Sequence, residues 1–118
     1  MLRIARVVVP GLPHHVTQRG NRRMQTFFLD ADYGEYLALM ATWCRRCEVS
    51  VWAYCLMPNH IHLVLVPQNA DGLRRAVGEV HRRYTCHVNA REAWTGHLWQ
   101  GRFLRKRKPG PKTPREES

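Results

Sequence analysis

Residues 53–67, AYCLMPNHIHLVLVP, decide how this chain folds. The segment is almost wholly apolar, which marks it for a core, yet it carries two histidines one residue apart. Met57 closes a run, VSVWAYCLM (49–57), that is rich in β-branched and aromatic residues and reads as a strand. Pro58-Asn59 is a turn signal. HIHLVLV (60–66) is then the returning strand of a tight hairpin. In a strand, alternate residues share a face. His60 and His62 therefore point one way with Val64 and Val66, and Ile61, Leu63 and Leu65 point the other.

Moving outward, HHVTQRG (14–20) reads as a short strand running into a turn, and NRRMQTFF as a loop that exposes Arg22 and Arg23. DADYGEYLALMATWCRRCE (30–48) has helical spacing, with Tyr33, Tyr36, Leu37, Met40, Cys44 and Cys47 on one face and Asp32 with Glu35 as an N-terminal capping pair. DGLRRAVGEVHRRYTCHVNAREA (71–93) is a second helix. Its apolar stripe is Leu73, Val77, Val80, Tyr84 and Val88; Arg75, Arg82 and Arg83 lie off that stripe, and Gly78 weakens the helix slightly. WTGHLWQGRFL (94–104) has no clear period. The order strand, helix, strand, strand, helix gives an α+β fold of the ferredoxin-like split βαβ type. A closing strand is due near Arg102, where only RFL precedes a change of composition. Residues 1–104 form one domain; residues 105–118, basic and Pro-rich, are expected to be a disordered tail.

The chain of 118 residues is long enough for a single small core. Nineteen Lys and Arg against nine Asp and Glu give a net charge of +10, of which the tail supplies +4, so the body is basic in its own right. Nucleic acid is the default partner of such a domain and an anionic membrane surface the second. No segment approaches the ~20 apolar residues of a membrane span, and the first residues hold too short an apolar run for a signal peptide. A cytoplasmic location and four reduced cysteines are expected.

Two neutral imidazoles on adjacent pleats are close enough to share a divalent ion; the plainer reading is two partly buried histidines bonded to their neighbours. His14 and His15 sit on the first strand, where one of them is expected to share the surface of His60 and His62, and both are read as structural or DNA-facing; His81, His87 and His97 have no spacing that marks them. Cys44-x-x-Cys47 has a zinc-like spacing, but both residues lie on the apolar face of a helix, and buried reduced thiols are the reading taken.

Four motifs, PGLPHHVTQRGNRR (10–23), FFLDADY (27–33), AYCLMPNHIHLVL (53–65) and GHLWQGRF (96–103), together resemble the REP-associated tyrosine transposases, in the single-tyrosine, IS200-like branch of the HUH endonucleases. The likeness runs from about residue 5 to residue 103. It implies that His60 and His62 hold a Mg2+ or Mn2+ ion at a scissile phosphate of single-stranded or hairpin DNA. A tyrosine hydroxyl then attacks, leaving a 5′-phosphotyrosine and a free 3′ hydroxyl. It also points to Arg19, Arg22, Arg23, Arg82, Arg83 and Arg102 as DNA contacts, with Trp99 as a stacking platform. The family tyrosine is due beyond the closing strand, in a helix reading like RYIELNPVRA. Nothing after Phe103 matches this, and no tyrosine follows Tyr84. A truncation or frameshift near residue 104 is the expectation drawn, with an open sheet edge that a second copy of the chain could cover. Tyr84 falls in the apolar stripe and reads as core with its hydroxyl at the edge. The alternatives are a hairpin-binding remnant that cannot cut, and a small metal- or partner-binding protein without a DNA role.

Overall fold

The structure is a computed structural model, and residues 7–100 are described. Strand β1 (His14–Arg19) leads through a single 3-10 turn (Asn21–Arg23) and a loop to helix α1 (Asp30–Arg46); β2 (Val49–Met57) and β3 (His60–Pro67) form a hairpin, and α2 (Gly72–Glu92) follows. The sheet is antiparallel with order β1-β3-β2. The α+β, ferredoxin-like architecture read from the sequence is the one observed. No described helix is long and apolar enough to cross a membrane.

The period of two in β3 sorts its side chains as expected as far as Leu65; Val66, expected to share the histidines' exposure, is buried as well. Ile61, Leu63 and Leu65 are buried, whereas His60, His62 and Val64 are only partly covered. The buried set packs under α1 and α2 with Tyr36, Met40, Cys44, Leu73, Val77, Val80, Tyr84 and Val88, so both helices cover one face of the sheet. The opposite face carries the histidines. Strand β2, apolar in sequence, is exposed along most of its length because it lies at the sheet edge. A bulge at Trp52 shifts its register, so that Cys55 and Met57 stand opposite His62 and His60.

Helix α1 starts before the capping pair expected of Asp32 and Glu35. Its N-cap is Leu29, and Asp32 occupies the third helical position. From there the Asp32 carboxylate accepts the backbone N–H groups of Phe28 and Leu29, both at 3.0 Å. It also binds the Arg91 guanidinium through two nitrogens, at 2.5 and 3.1 Å, and faces His87 Nε2 at 3.3 Å. Asp32 is fully buried, so this cluster ties the start of α1 to the end of α2.

The chain returns to β1 slightly before the point expected for a closing strand. Gly20 and Trp99 form an antiparallel bridge, Asn21 N–H donates to Leu98 O and Gln100 N–H to Arg19 O, both at 2.8 Å. The turn after β1 is tightly folded there. A Cβ on Gly20 would run into the Met24 carbonyl oxygen, and Arg22 and Arg23 both adopt left-handed φ, 57° and 62°. The residues RFL and the Pro-rich tail lie outside the described residues.

Candidate metal and nucleic-acid site

The site grows from the hairpin turn. Pro58 O accepts the N–H groups of Thr26 and Phe27, Asn59 O accepts that of Gly20, and Asn59 Nδ2 reaches Arg23 O at 3.5 Å. The turn is thereby pinned to the loop after β1. The Asn59 side-chain oxygen, free only to accept, lies 2.8 Å from His60 Nδ1. His60 therefore carries its proton on Nδ1 and keeps the Nε2 lone pair available.

His62 follows on the same face, its ring centroid 5.0 Å from that of His60 and nearly perpendicular to it. Its Nδ1 lies 3.1 Å from His15 Nε2, and the two rings stack at 5.2 Å. The Thr17 hydroxyl stands 3.4 Å from both nitrogens. Of the two histidines on β1, His15 shares the surface of the pair, while His14 binds Leu12 O. Desolvation, together with the charges of His60, His15 and Arg19, lowers the pKa of His62 and favours the neutral imidazole that a metal requires. Arg19 pairs in register with His60, so a guanidinium borders the site.

The donor set fits a divalent cation in part. Both imidazoles have their Nδ1 within hydrogen-bond distance of a partner, which leaves each Nε2 as a candidate ligand on the open face. Among the described residues no group of three His, Cys, Asp or Glu side chains is arranged to hold a metal ion. Were a divalent ion bound here, His60 and His62 would offer two ligands, and the remaining coordination would fall to water or substrate.

The other expected residues are dispersed. Arg22 and Arg23 are exposed on the turn pinned to Asn59. Arg82 and Arg83 are exposed on the helical layer, on the far side of the sheet from the histidines. Both pair with Glu79 at 3.0 Å, and Arg83 also lies over the Trp43 ring. Trp99 is corrected. It is 6% exposed, stacks on His81 at 4.4 Å and abuts Phe27, Tyr36 and Tyr84, so its ring belongs to the core and cannot stack on a base. Arg102 and Phe103 lie outside the described residues.

All four tyrosines of the chain are described, and none stands beside the histidines. Tyr84 is fully buried, with its hydroxyl donating to Thr26 O at 2.7 Å rather than lying at the core's edge, and burial pushes its pKa well above the usual value. Tyr36 is buried against His81 Nε2, Tyr33 stacks on Phe27, and Tyr54 is exposed opposite Leu63, on the other sheet face. Cys44 and Cys47 are buried free thiols, as expected. Burial and the neighbouring Cys47 push Cys44 up to about 11, which leaves it an inert core residue at neutral pH.

The sequence marks Asn59 only as a turn former. The signal was present in its position directly before the first histidine, but the use of its amide depends on Arg23 O, 36 residues away.

The family model for IS200-like transposases matches residues 8–107. No curated protein matches the chain. Among solved structures, a REP-associated tyrosine transposase bound to a REP hairpin superposes with a TM-score of 0.65 at 21% identity, over 86% of this chain and 59% of the other. A protein described as a transposase, from Deinococcus radiodurans R1, superposes with a TM-score of 0.57 at 20% identity, over 75% of this chain and 71% of the other. At these identities the superpositions establish a shared fold, and this chain spans about three-fifths of the hairpin-bound protein's length. With the family model covering most of its residues, the chain belongs to the IS200-like transposase family.

Proposed function

We propose that this chain recognises a single-stranded DNA hairpin on the open face of its sheet and holds a Mg2+ or Mn2+ ion there with His60 and His62, in the service of DNA transposition. The observation that carries the reading is the convergence of two imidazoles whose Nδ1 atoms are both engaged on the uncovered side of the sheet. When bound, the ion would polarise a phosphoryl oxygen of the scissile phosphate. The chain's own residues orient that face. Asn59 fixes His60, and Arg19, Arg22 and Arg23 offer phosphate contacts along one end of it. The hairpin in the solved relative makes DNA the partner of choice. A cytoplasmic location goes with this reading.

Nicking through a 5′-phosphotyrosine needs a hydroxyl at the metal face, and the four tyrosines of these 118 residues are elsewhere. On this reading none of these tyrosines attacks the DNA, and the chain alone is expected to bind without cutting. A second copy pairing along β2, which exposes Val51, Trp52, Tyr54 and Met57, forms part of the proposal.

A labelled hairpin oligonucleotide tests this. Three phosphate contacts lead to binding that weakens roughly 40-fold between about 50 and about 200 mM salt. The combined changes Arg19→Gln, Arg22→Gln and Arg23→Gln should flatten that dependence. With Mn2+ present, no protein–DNA adduct that survives detergent is expected. Salt-independent binding, or an adduct mapping to Tyr84, contradicts the proposal. Sedimentation of the same sample reports whether two copies associate.

A further inference from the structure

His60 and His62 are oriented by different means. His60 is held by Asn59, its neighbour on the same turn. His62 is held by His15, which lies 47 positions earlier on another strand, with Nε2 3.1 Å from His62 Nδ1 and the rings within 16° of parallel. In β1–β3 register, His15 stands opposite Val64 and Thr17 opposite His62, so His15 reaches diagonally across the ladder to make this contact. Ring nitrogens come in donor and acceptor forms, and a hydrogen bond at one nitrogen selects the lone pair at the other.

We infer that His15 is a positioning residue for the metal face: its Nε2 accepts the Nδ1–H of His62, which fixes the tautomer and ring plane of His62 and turns Nε2 of His62 toward the open side. The inference rests on the metal-site reading for its purpose, but the contact can be tested without metal. Because the Thr17 hydroxyl lies 3.4 Å from both nitrogens, it supports the pair without replacing the acceptor. His15 is exposed, so the fold tolerates its substitution.

Two variants separate positioning from mere ring packing. His15→Phe keeps a stacked ring and removes the acceptor; His15→Gln removes the ring and keeps an acceptor. In the metal-free full chain, long-range proton–nitrogen correlation spectra of the imidazoles show which nitrogen of His62 is protonated. The wild type and His15→Gln should show His62 protonated on Nδ1, and His15→Phe a shift toward Nε2. Mn2+ affinity, read from the free-ion paramagnetic resonance signal, should fall ~10- to 100-fold in His15→Phe and recover largely in His15→Gln. An unchanged His62 tautomer in His15→Phe overturns the inference. A wild-type chain that binds no Mn2+, while its His62 tautomer follows residue 15, refutes the metal reading and upholds the His15–His62 contact.

Discussion

Replacing Asp32 with alanine is expected to destabilise the protein by about 3–5 kcal/mol, the usual cost of removing one partner from a buried ion pair. The carboxylate is fully buried and serves five donor groups at once: two nitrogens of Arg91, the N–H groups of Phe28 and Leu29, and His87. Its loss removes the carboxylate that these two backbone N–H groups share and frees the Arg91 end of α2. Burial alone would raise the pKa of Asp32, but Arg91, the two N–H groups and His87 outweigh it and hold the group at about 2. The depressed value has a definite sign. It contributes about 2 kcal/mol that is fully present above pH ~4 and disappears as the pH falls through about 2. Urea titration of wild type and Asp32→Ala near neutral pH measures the first effect, and a loss below about 1 kcal/mol would show the cluster to be dispensable. The consequence reaches the site, because the loop that Asp32 anchors also supplies the Thr26 and Phe27 N–H groups that hold Pro58 O and with it the turn before His60.

Acid is expected to weaken the fold well before that carboxylate titrates, and the cause is His81. This ring is 6% exposed, hydrogen-bonded to the Tyr36 hydroxyl at 2.6 Å and stacked on Trp99. Burial holds its pKa down at about 3. The unfolded chain accepts a proton near pH 6.5 and the folded one refuses it, so the unfolded state gains as the pH falls from about 6.5 toward 3. Between pH 7 and pH 4 the loss is on the order of 3 kcal/mol. His81→Phe preserves the stacking and removes the titrating group. The variant loses the Tyr36 contact and is somewhat less stable at pH 7, but its stability should change far less between pH 7 and pH 4. An acid dependence identical to the wild type would place the sensitivity elsewhere.

The elements that were legible in the sequence are those whose side chains obey a local period. Alternation in 60–66 separated Ile61, Leu63 and Leu65 from the two histidines, and the stripe from Leu73 to Val88 marked the buried face of α2. Long-range partners leave no local trace. Spacing suggests that Asp32 caps the helix together with Glu35, three residues on, whereas the partner of its carboxylate is Arg91, 59 residues away. Trp99 sits in an aperiodic stretch among glycines and an arginine, where no spacing tells core from surface; its burial follows from the bridge to Gly20 that closes the chain over His81. Arg82 and Arg83 were correctly placed off the apolar stripe, but a stripe gives no sign of which side of the sheet its helix will cover. Of the site itself, the histidine pair was legible and His15 was half-legible. The amide of Asn59 became visible only when the turn packed against Arg23.

The most direct test of the metal face is Mn2+ titration of the full chain, followed by the paramagnetic resonance of the free ion, in the wild type and in the double variant His60→Ala, His62→Ala. Saturable uptake of Mn2+ by the wild type and its loss in the double variant, with the fold intact by circular dichroism, is the expected result. Equal uptake by both proteins, or none by the wild type, would contradict the assignment of His60 and His62 as the ligands of a divalent ion.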